Sequence, residues 1–304
     1  MEKLLVICGQ TSTGKTSLGI LLAKKFNGEI VSADSRQVYR NMDIGTGKAW
    51  GGNVKIWGYD LISPKDDFSV SKYLKFAQKV ISDIERRGKL PILVGGTGLY
   101  IKGVVDGIPT VNIPRNNKLR KNLEKMDRTQ LYEHLSQIDS FKAGSMNSSD
   151  KKNPRRLIRA IEVAMWNIDN LKKSPSRHKK IFDTLFIGLT APSDFLEERI
   201  NKRVDERIDK GFEGEVKKLI DSGVGWDDQS MMSLGYRQWR DFVEGAVDRE
   251  AATAEWKKEE RKYAKRQISW WKHDGRVNWF DINEPEYQKK VEKLVKKWYI
   301  VKYA

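Results

Sequence analysis

Apolar residues in the first third of the chain fall into short unbroken runs, separated by stretches with helical spacing. Residues 4–8, 29–33, 55–59 and 90–94 read as strands. Residues 17–26 read as a helix. So do residues 71–87, where Tyr73, Phe76, Ala77, Val80 and Ile84 recur near helical spacing and Gly88 ends the run. Strands alternating with helices predict a parallel sheet covered on both faces. From 115 to 180 no strand pattern appears and the chain reads as helical. The strand pattern returns at 184–189 and once more at 277–280. Between these, Asp194 stands as an N-cap with Glu197 three residues on. Leu196, Ile200, Val204 and Ile208 follow as an apolar stripe beside a second stripe of Arg199, Arg203 and Arg207. A last long helix is expected over 251–272. Trp256, Tyr263 and Trp270, seven apart, predict its core face, and Lys258, Arg261, Lys265 and Lys272 predict a basic one. The expected organisation is an α/β core made of residues 1–109 and 181–304, interrupted by a helical insertion domain at 110–180.

Charge adds a partner class to this picture. The chain has 304 residues, with 57 Lys plus Arg against 41 Asp plus Glu, a formal +16. Residues 151–180 alone carry ten bases and two acids. Such an excess points to a polyanion, and basic faces of this kind suit nucleic-acid phosphates. The single cysteine, Cys8, lies in the first strand, which excludes a disulfide frame and a cysteine zinc site. No apolar run reaches membrane-spanning length and no signal peptide is apparent, so a cytoplasmic protein without membrane contact is expected.

The candidate chemistry sits at the ends of the predicted strands, where ligands bind in open α/β sheets. Gly9-Gln10-Thr11-Ser12-Thr13-Gly14-Lys15-Thr16 fits G-x-x-x-x-G-K-[ST] between a strand and a helix. In such a P-loop the backbone N–H groups face phosphate oxygens, the lysine adds a point charge, and the Thr16 hydroxyl is offered to Mg2+. The motif marks a di- or triphosphate and leaves open which one. Asp34, ending the second strand, is placed either to ligate magnesium or to take a proton from an acceptor; a turn or N-cap role is the ordinary alternative. Gly95-Gly96-Thr97-Gly98 follows an apolar strand that lacks the acid of ordinary NTPases, which argues against ATP hydrolysis. A glycine turn there permits close backbone approach to a ligand. The arginine stripe is either a solvated helix face or a source of one guanidinium for the phosphates.

Taken together, these and later blocks resemble the tRNA dimethylallyltransferases, also called tRNA isopentenyltransferases, of the bacterial type without a zinc finger. The later blocks are Asn153-Pro154-Arg155-Arg156-Leu157-Ile158-Arg159, Arg203-Val204-Asp205, Gly235-Tyr236-Arg237-Gln238 and Tyr263-Ala264-Lys265-Arg266-Gln267. The resemblance implies transfer of a dimethylallyl group from dimethylallyl diphosphate to N6 of adenosine 37 in tRNA, with the P-loop holding the donor diphosphate. It implies Asp34 as general base, with Thr97 and Arg203 at the reacting centre. Gly9 to Thr16 would hold diphosphate, with Mg2+ on Thr16. It also implies anticodon-arm contacts from Asp34, Ser35, Arg36 and Gln37, and from Arg155, Arg156, Leu157, Ile158 and Arg159. Gly235, Tyr236 and Arg237, with Lys265, Arg266 and Gln267, complete the set. A monomer is expected. Trp57 and Glu260 depart from the family pattern, which has histidine and threonine at these places in many members; Glu260 puts an acid in the expected RNA face. Two other functions fit the residues less well: a P-loop small-molecule kinase, and a prenyltransferase acting on free adenine nucleotides. Neither needs the basic segments.

Overall fold

The first strand, β1 (Glu2–Gly9), is buried at every position after Glu2, as a strand flanked on both edges and covered on both faces must be. In the computed structural model, which describes residues 2–170 and 182–300, it pairs in parallel with β4 (Leu90–Val94) on one side and β5 (Phe182–Thr190) on the other. β2 (Gly28–Ser32), β3 (Ile56–Trp57) and β6 (Val277–Asp281) complete a six-stranded parallel sheet in the order β3-β2-β4-β1-β5-β6. The expected strand over 55–59 shrinks to two residues because Gly58 and Asp60 take positive φ, 100° and 57°, and turn the chain away.

Helices α1 (Lys15–Lys25), α2 (Val70–Arg86) and α3 (Gly98–Val105) connect the early strands. Ser69 caps α2, its side chain accepting from the Lys72 amide, and the Tyr73, Ala77, Val80 and Ile84 face is buried. The chain folds as two compact units, Met1–Gly107 with Lys180–Ala304, and Ile108–Lys179. The second unit holds α4 (Asn117–Leu123), α5 (Arg128–Ile138), α6 (Ser140–Ser145), α7 (Ser148–Lys151) and α8 (Pro154–Asp169) around its own core of Leu123, Leu131, Leu135, Leu157 and Ile161. The basic run expected over 151–180 continues beyond α8 into 171–180, which lie outside the described residues.

In the first unit, α9 (Ser193–Asp209), α10 (Phe212–Asp221), α11 (Tyr236–Val243) and α12 (Arg249–Trp271) follow β5, and α13 (Tyr287–Ile300) follows β6. Asp194 is not the cap of α9. Pro192, with its fixed φ, precedes the first helical residue, and Asp194 lies in the first turn, where its charge faces the helix dipole. The sheet core collects Leu5, Ile7, Leu18, Ile92 and Ile187, with Val291 and Val295 from α13. A second core joins Val38, Tyr39 and Met42 to Val204, Phe212, Trp239 and Trp256. The aromatic stripe of α12 is only partly a core face. Trp256 is buried in that second core, whereas Trp270 is 44% exposed and its neighbour Trp271 is buried against Phe186. A seven-residue repeat drifts about 20° per step on a straight helix, so a single face cannot hold all three rings inside.

Candidate active site

The P-loop leaves β1 and turns at Gly14, which adopts a left-handed φ of 82° before α1. Lys15 Nζ and Thr13 Oγ1 both donate to the Gln10 carbonyl, at 2.6 and 2.7 Å. Two arginines of the α9 stripe close over the loop: Arg203 Nη1 donates to Thr11 Oγ1 at 2.9 Å, and Arg199 Nε donates to the Ser12 carbonyl at 2.9 Å. The third, Arg207, is buried and ion-paired with Glu260 of α12 at 3.0 Å. The stripe is therefore a wall of the site, not a solvated face.

Opposite the loop, Asp34 follows β2 with its Oδ1 accepting from the Arg36 amide at 2.8 Å. Thr97, in the glycine turn after β4, accepts on Oγ1 from the Ser35 amide at 3.1 Å, so the two strand ends are tied together. α12 lies across both. Gln267 Oε1 accepts from the Thr11 amide at 2.7 Å and its Nε2 donates to the Gly96 carbonyl at 3.3 Å. Gly96 must lack a Cβ, which would stand 2.0 Å from that amide nitrogen. Residues 45–47 form another border of the cleft. Glu215 of α10 holds this segment by accepting from the amides of Asp43, Ile44 and Gly45 at 2.7 to 3.0 Å and from the Tyr236 hydroxyl. A Cβ on Gly47 would stand 2.6 Å from Nη2 of both Arg203 and Arg207.

These groups line one cleft of about 880 Å³, with twice as many basic as acidic side chains on its walls. The excess shows in the titration of its members. Burial, with Arg203 nearby, pushes Lys15 down to about 8. Arg207, with burial, pushes Arg203 down to about 10. A site that raises the energy of its own cations is one that gains by receiving an anion. Burial also raises Tyr263 and takes Tyr59 to about 12, so both walls stay neutral.

Most of the residues expected to hold phosphate or act at the reacting centre thus meet, but Thr13 is buried on the Gln10 carbonyl and Thr97 is engaged with the Ser35 amide, and neither lines the cleft. Thr11, Ser12, Gly14, Lys15, Thr16, Asp34 and Arg203 all line the cleft. Gly9 and Gln10 instead support the loop from behind: the Gln10 amide donates to the Leu189 carbonyl, and its side chain accepts from Thr190. Of the expected RNA contacts, Ser35, Arg36, Gln37, Arg237, Arg266 and Gln267 line the same cleft, and Lys265 is exposed beside them. The Gln267 amide is already committed to Thr11 and Gly96, which makes it a strut between loop and turn.

Several expected contacts need correction. Tyr236 is fully buried with its hydroxyl on Glu215, and Gly235 is buried against Trp256, so neither presents a surface to RNA. In the second unit Leu157 and Ile158 are buried in its core, because α8 turns that face inward. Arg159 donates to Glu162 and to the carbonyls of Thr110 and Ile113, and so binds the unit to itself. Arg155 and Arg156 remain exposed, the latter paired with Asp150. Glu260 is buried in the cleft wall, paired with Arg207. Trp57 donates from Nε1 to Glu29 at 2.8 Å, at a distance from these groups along the sheet. Sequence reasoning missed Tyr263 as a cleft wall and Glu215 as the anchor of residues 43–45. The first was legible in the spacing of 260, 263 and 267 on one face of α12.

Comparison with known proteins points to one family. A family profile described as IPP transferase matches residues 37–274, and one described as isopentenyl transferase matches residues 2–56. A tRNA dimethylallyltransferase of Halalkalibacterium halodurans is 37% identical over 304 residues, covering 96% of this chain and 95% of its own. The crystal structure of a tRNA isopentenylpyrophosphate transferase from Bacillus halodurans is similar at TM-score 0.73 and 36% identity, with both chains covered in full. A eukaryotic dimethylallyltransferase acting on tRNA shares the fold at TM-score 0.83 and 24% identity, over all of this chain and 81% of its own.

Proposed function

The chain belongs to the IPP transferase family, and on that premise we propose that it transfers the dimethylallyl group of dimethylallyl diphosphate to N6 of adenosine 37 in tRNA, releasing diphosphate. The observation that carries the reading is the closure of the P-loop by Arg203 at 2.9 Å from Thr11, with Lys15 beside it and Asp34 in the same cleft. The adenine amine attacks C1 of the allylic donor. The C1–oxygen bond breaks and diphosphate leaves with the electron pair. Lys15, Arg203 and the loop amides meet the charge that grows on the bridging oxygen. The N6 proton passes to the Asp34 carboxylate. Because the amine lone pair is delocalised into the ring, attack needs the base out of its stack and held in line. Thr97, bonded to the Ser35 amide, fixes the segment that carries Asp34.

Among the described residues there is no cluster of three acidic, histidine or cysteine side chains able to hold a metal ion. The Thr16 hydroxyl, at the edge of the cleft, would be the protein group to hold Mg2+, and such an ion would supply further charge for the leaving group. The exposed bases Arg155, Arg237, Lys265 and Arg266 would take phosphates of the anticodon arm. No described helix is long and apolar enough to cross a membrane. We place the reaction in the cytoplasm and expect the enzyme to act as a monomer.

The test is incubation with dimethylallyl diphosphate and unmodified tRNA, followed by analysis of the nucleoside digest. Prenylated adenosine without ATP consumption is the expected result. ADP released in step with product would support a kinase instead.

A further inference from the structure

Arg207 is a buried cation of the cleft that the proposed reaction does not use. It is only 7% exposed, its Nε is buried without a partner among the described residues, and its guanidinium lies 5.8 Å from the centre of the Trp256 ring. Among the described residues only Glu260 pairs with it, at 3.0 Å. The carboxylate is held in turn: Trp256 Nε1 donates to the same oxygen at 3.3 Å, one helical turn away on α12. Arg203 and Arg207 both crowd the site where a Gly47 Cβ would be, so their charges are close neighbours and repel. That repulsion is the foremost cause of the lowered Arg203 pKa, and Glu260, Asp34 and Glu206 oppose it.

We propose that Glu260 is a positioning residue that sets the charge of the diphosphate site: it holds Arg207 away from the anion and leaves Arg203 and Lys15 as the pair that receives it. The inference rests on reading the cleft as a diphosphate site. A polyanion bound by three cations in a desolvated pocket would be slow to leave, and product must leave in every cycle. By neutralising one guanidinium inside the wall, Glu260 limits the affinity for released diphosphate while keeping Arg203 extended toward Thr11. An ion pair that only braced α9 against α12 would have no such effect on the anion.

The two roles differ in sign. Pyrophosphate affinity is measured by calorimetry for the wild type, Glu260→Gln and Arg207→Gln, with thermal unfolding to verify folding. Glu260→Gln keeps an acceptor for Trp256 and frees the Arg207 charge, so pyrophosphate should bind tighter, roughly three- to tenfold. Arg207→Gln leaves the acid uncompensated beside Arg203 and should weaken binding by a similar factor. Loss of affinity in both variants would show a brace and overturn the proposal. Should Glu260→Gln not fold, the double variant, which keeps no charge at either position, carries the test. Affinity within about fivefold of wild type supports the proposal, and a larger loss makes Arg207 a direct anion ligand and overturns it. A wild-type protein that does not bind pyrophosphate at all would instead reject the diphosphate reading from which the inference starts.

Discussion

Asp34 and Lys15 carry the sharpest expectations at the scale of single residues. Asp34→Asn keeps the size and the acceptor for the Arg36 amide but cannot take a proton. Single-turnover prenylation should fall on the order of 10²–10⁴-fold while tRNA affinity stays within about twofold of wild type. An unchanged rate would remove Asp34 from the role of base. For Lys15 the sign follows from burial. Its ammonium titrates at about 8 in the free protein, against an ordinary value of 10.5. A bound polyanion favours the charged form and raises that pKa, so pyrophosphate binding takes up protons. Affinity should therefore fall as pH rises through 8, relative to a Lys15→Met variant in which only the ligand titrates. Calorimetry in two buffers of different ionisation enthalpy measures the proton uptake directly.

Elements place these residues, and here the sequence was readable in part. Helix α8 shows how pattern and site diverge. Its run of Arg155, Arg156 and Arg159 looks uniformly basic, yet the helical turn sends Arg159 into a buried network with Glu162 and Arg120, at 3.0 and 2.6 Å from that carboxylate. Arg159→Ala should thus lower the thermal stability of the insertion and leave the salt dependence of tRNA binding nearly unchanged. Arg155→Ala should do the reverse. Each lost phosphate contact should flatten the log–log salt slope by about 0.7 to 0.9. A salt series on the three proteins distinguishes the outcomes, and parallel lines throughout would take α8 out of the RNA interface. Helix α12 teaches the same lesson. Its periodicity announced a helix with an aromatic and a basic face. It did not announce that Gln267 would bond the Thr11 amide 256 residues away, because a polar side chain carries no mark of a distant partner.

On the scale of the whole molecule, the parallel sheet and the meeting of P-loop, Asp34 and Gly95–Gly98 followed from short apolar runs and glycine turns, whereas the strand order did not. Those signals are local. The arginine stripe offered a guanidinium to the phosphates as one of two readings, but the Arg207–Glu260 pair was not legible, since it depends on how α9 and α12 pack over the sheet. Away from the cleft, Glu29 links the sheet to the end of α2. It accepts from Arg87, Lys89 and Trp57 at 2.5 to 2.8 Å, and Arg87 foremost holds its carboxyl down at about 2. A depressed carboxylate stabilises the fold above its unfolded pKa, near 4.5, and that contribution is lost as pH falls toward 2. The difference in melting temperature between wild type and Glu29→Gln should be full at pH 7 and close to zero near pH 2. A constant difference would assign the role of Glu29 to packing.

The long reach of the Thr11–Gln267 bond also sets a schedule. On the ribosome the P-loop is made within the first sixteen residues, yet its central strand gains its second neighbour only when 182–190 are made. Arg203 follows, and the Gln267 amide comes only after seven-eighths of the chain exists. Throughout that interval the nascent protein displays a phosphate-loop sequence with nothing to brace it. The compact unit Ile108–Lys179, built of local helix contacts, meets the conditions for early folding, while the sheet waits for its distant partners. A nascent chain stopped after 192 should consequently carry the motif and fail to retain pyrophosphate. Competence arrives late and all at once, when α12 emerges.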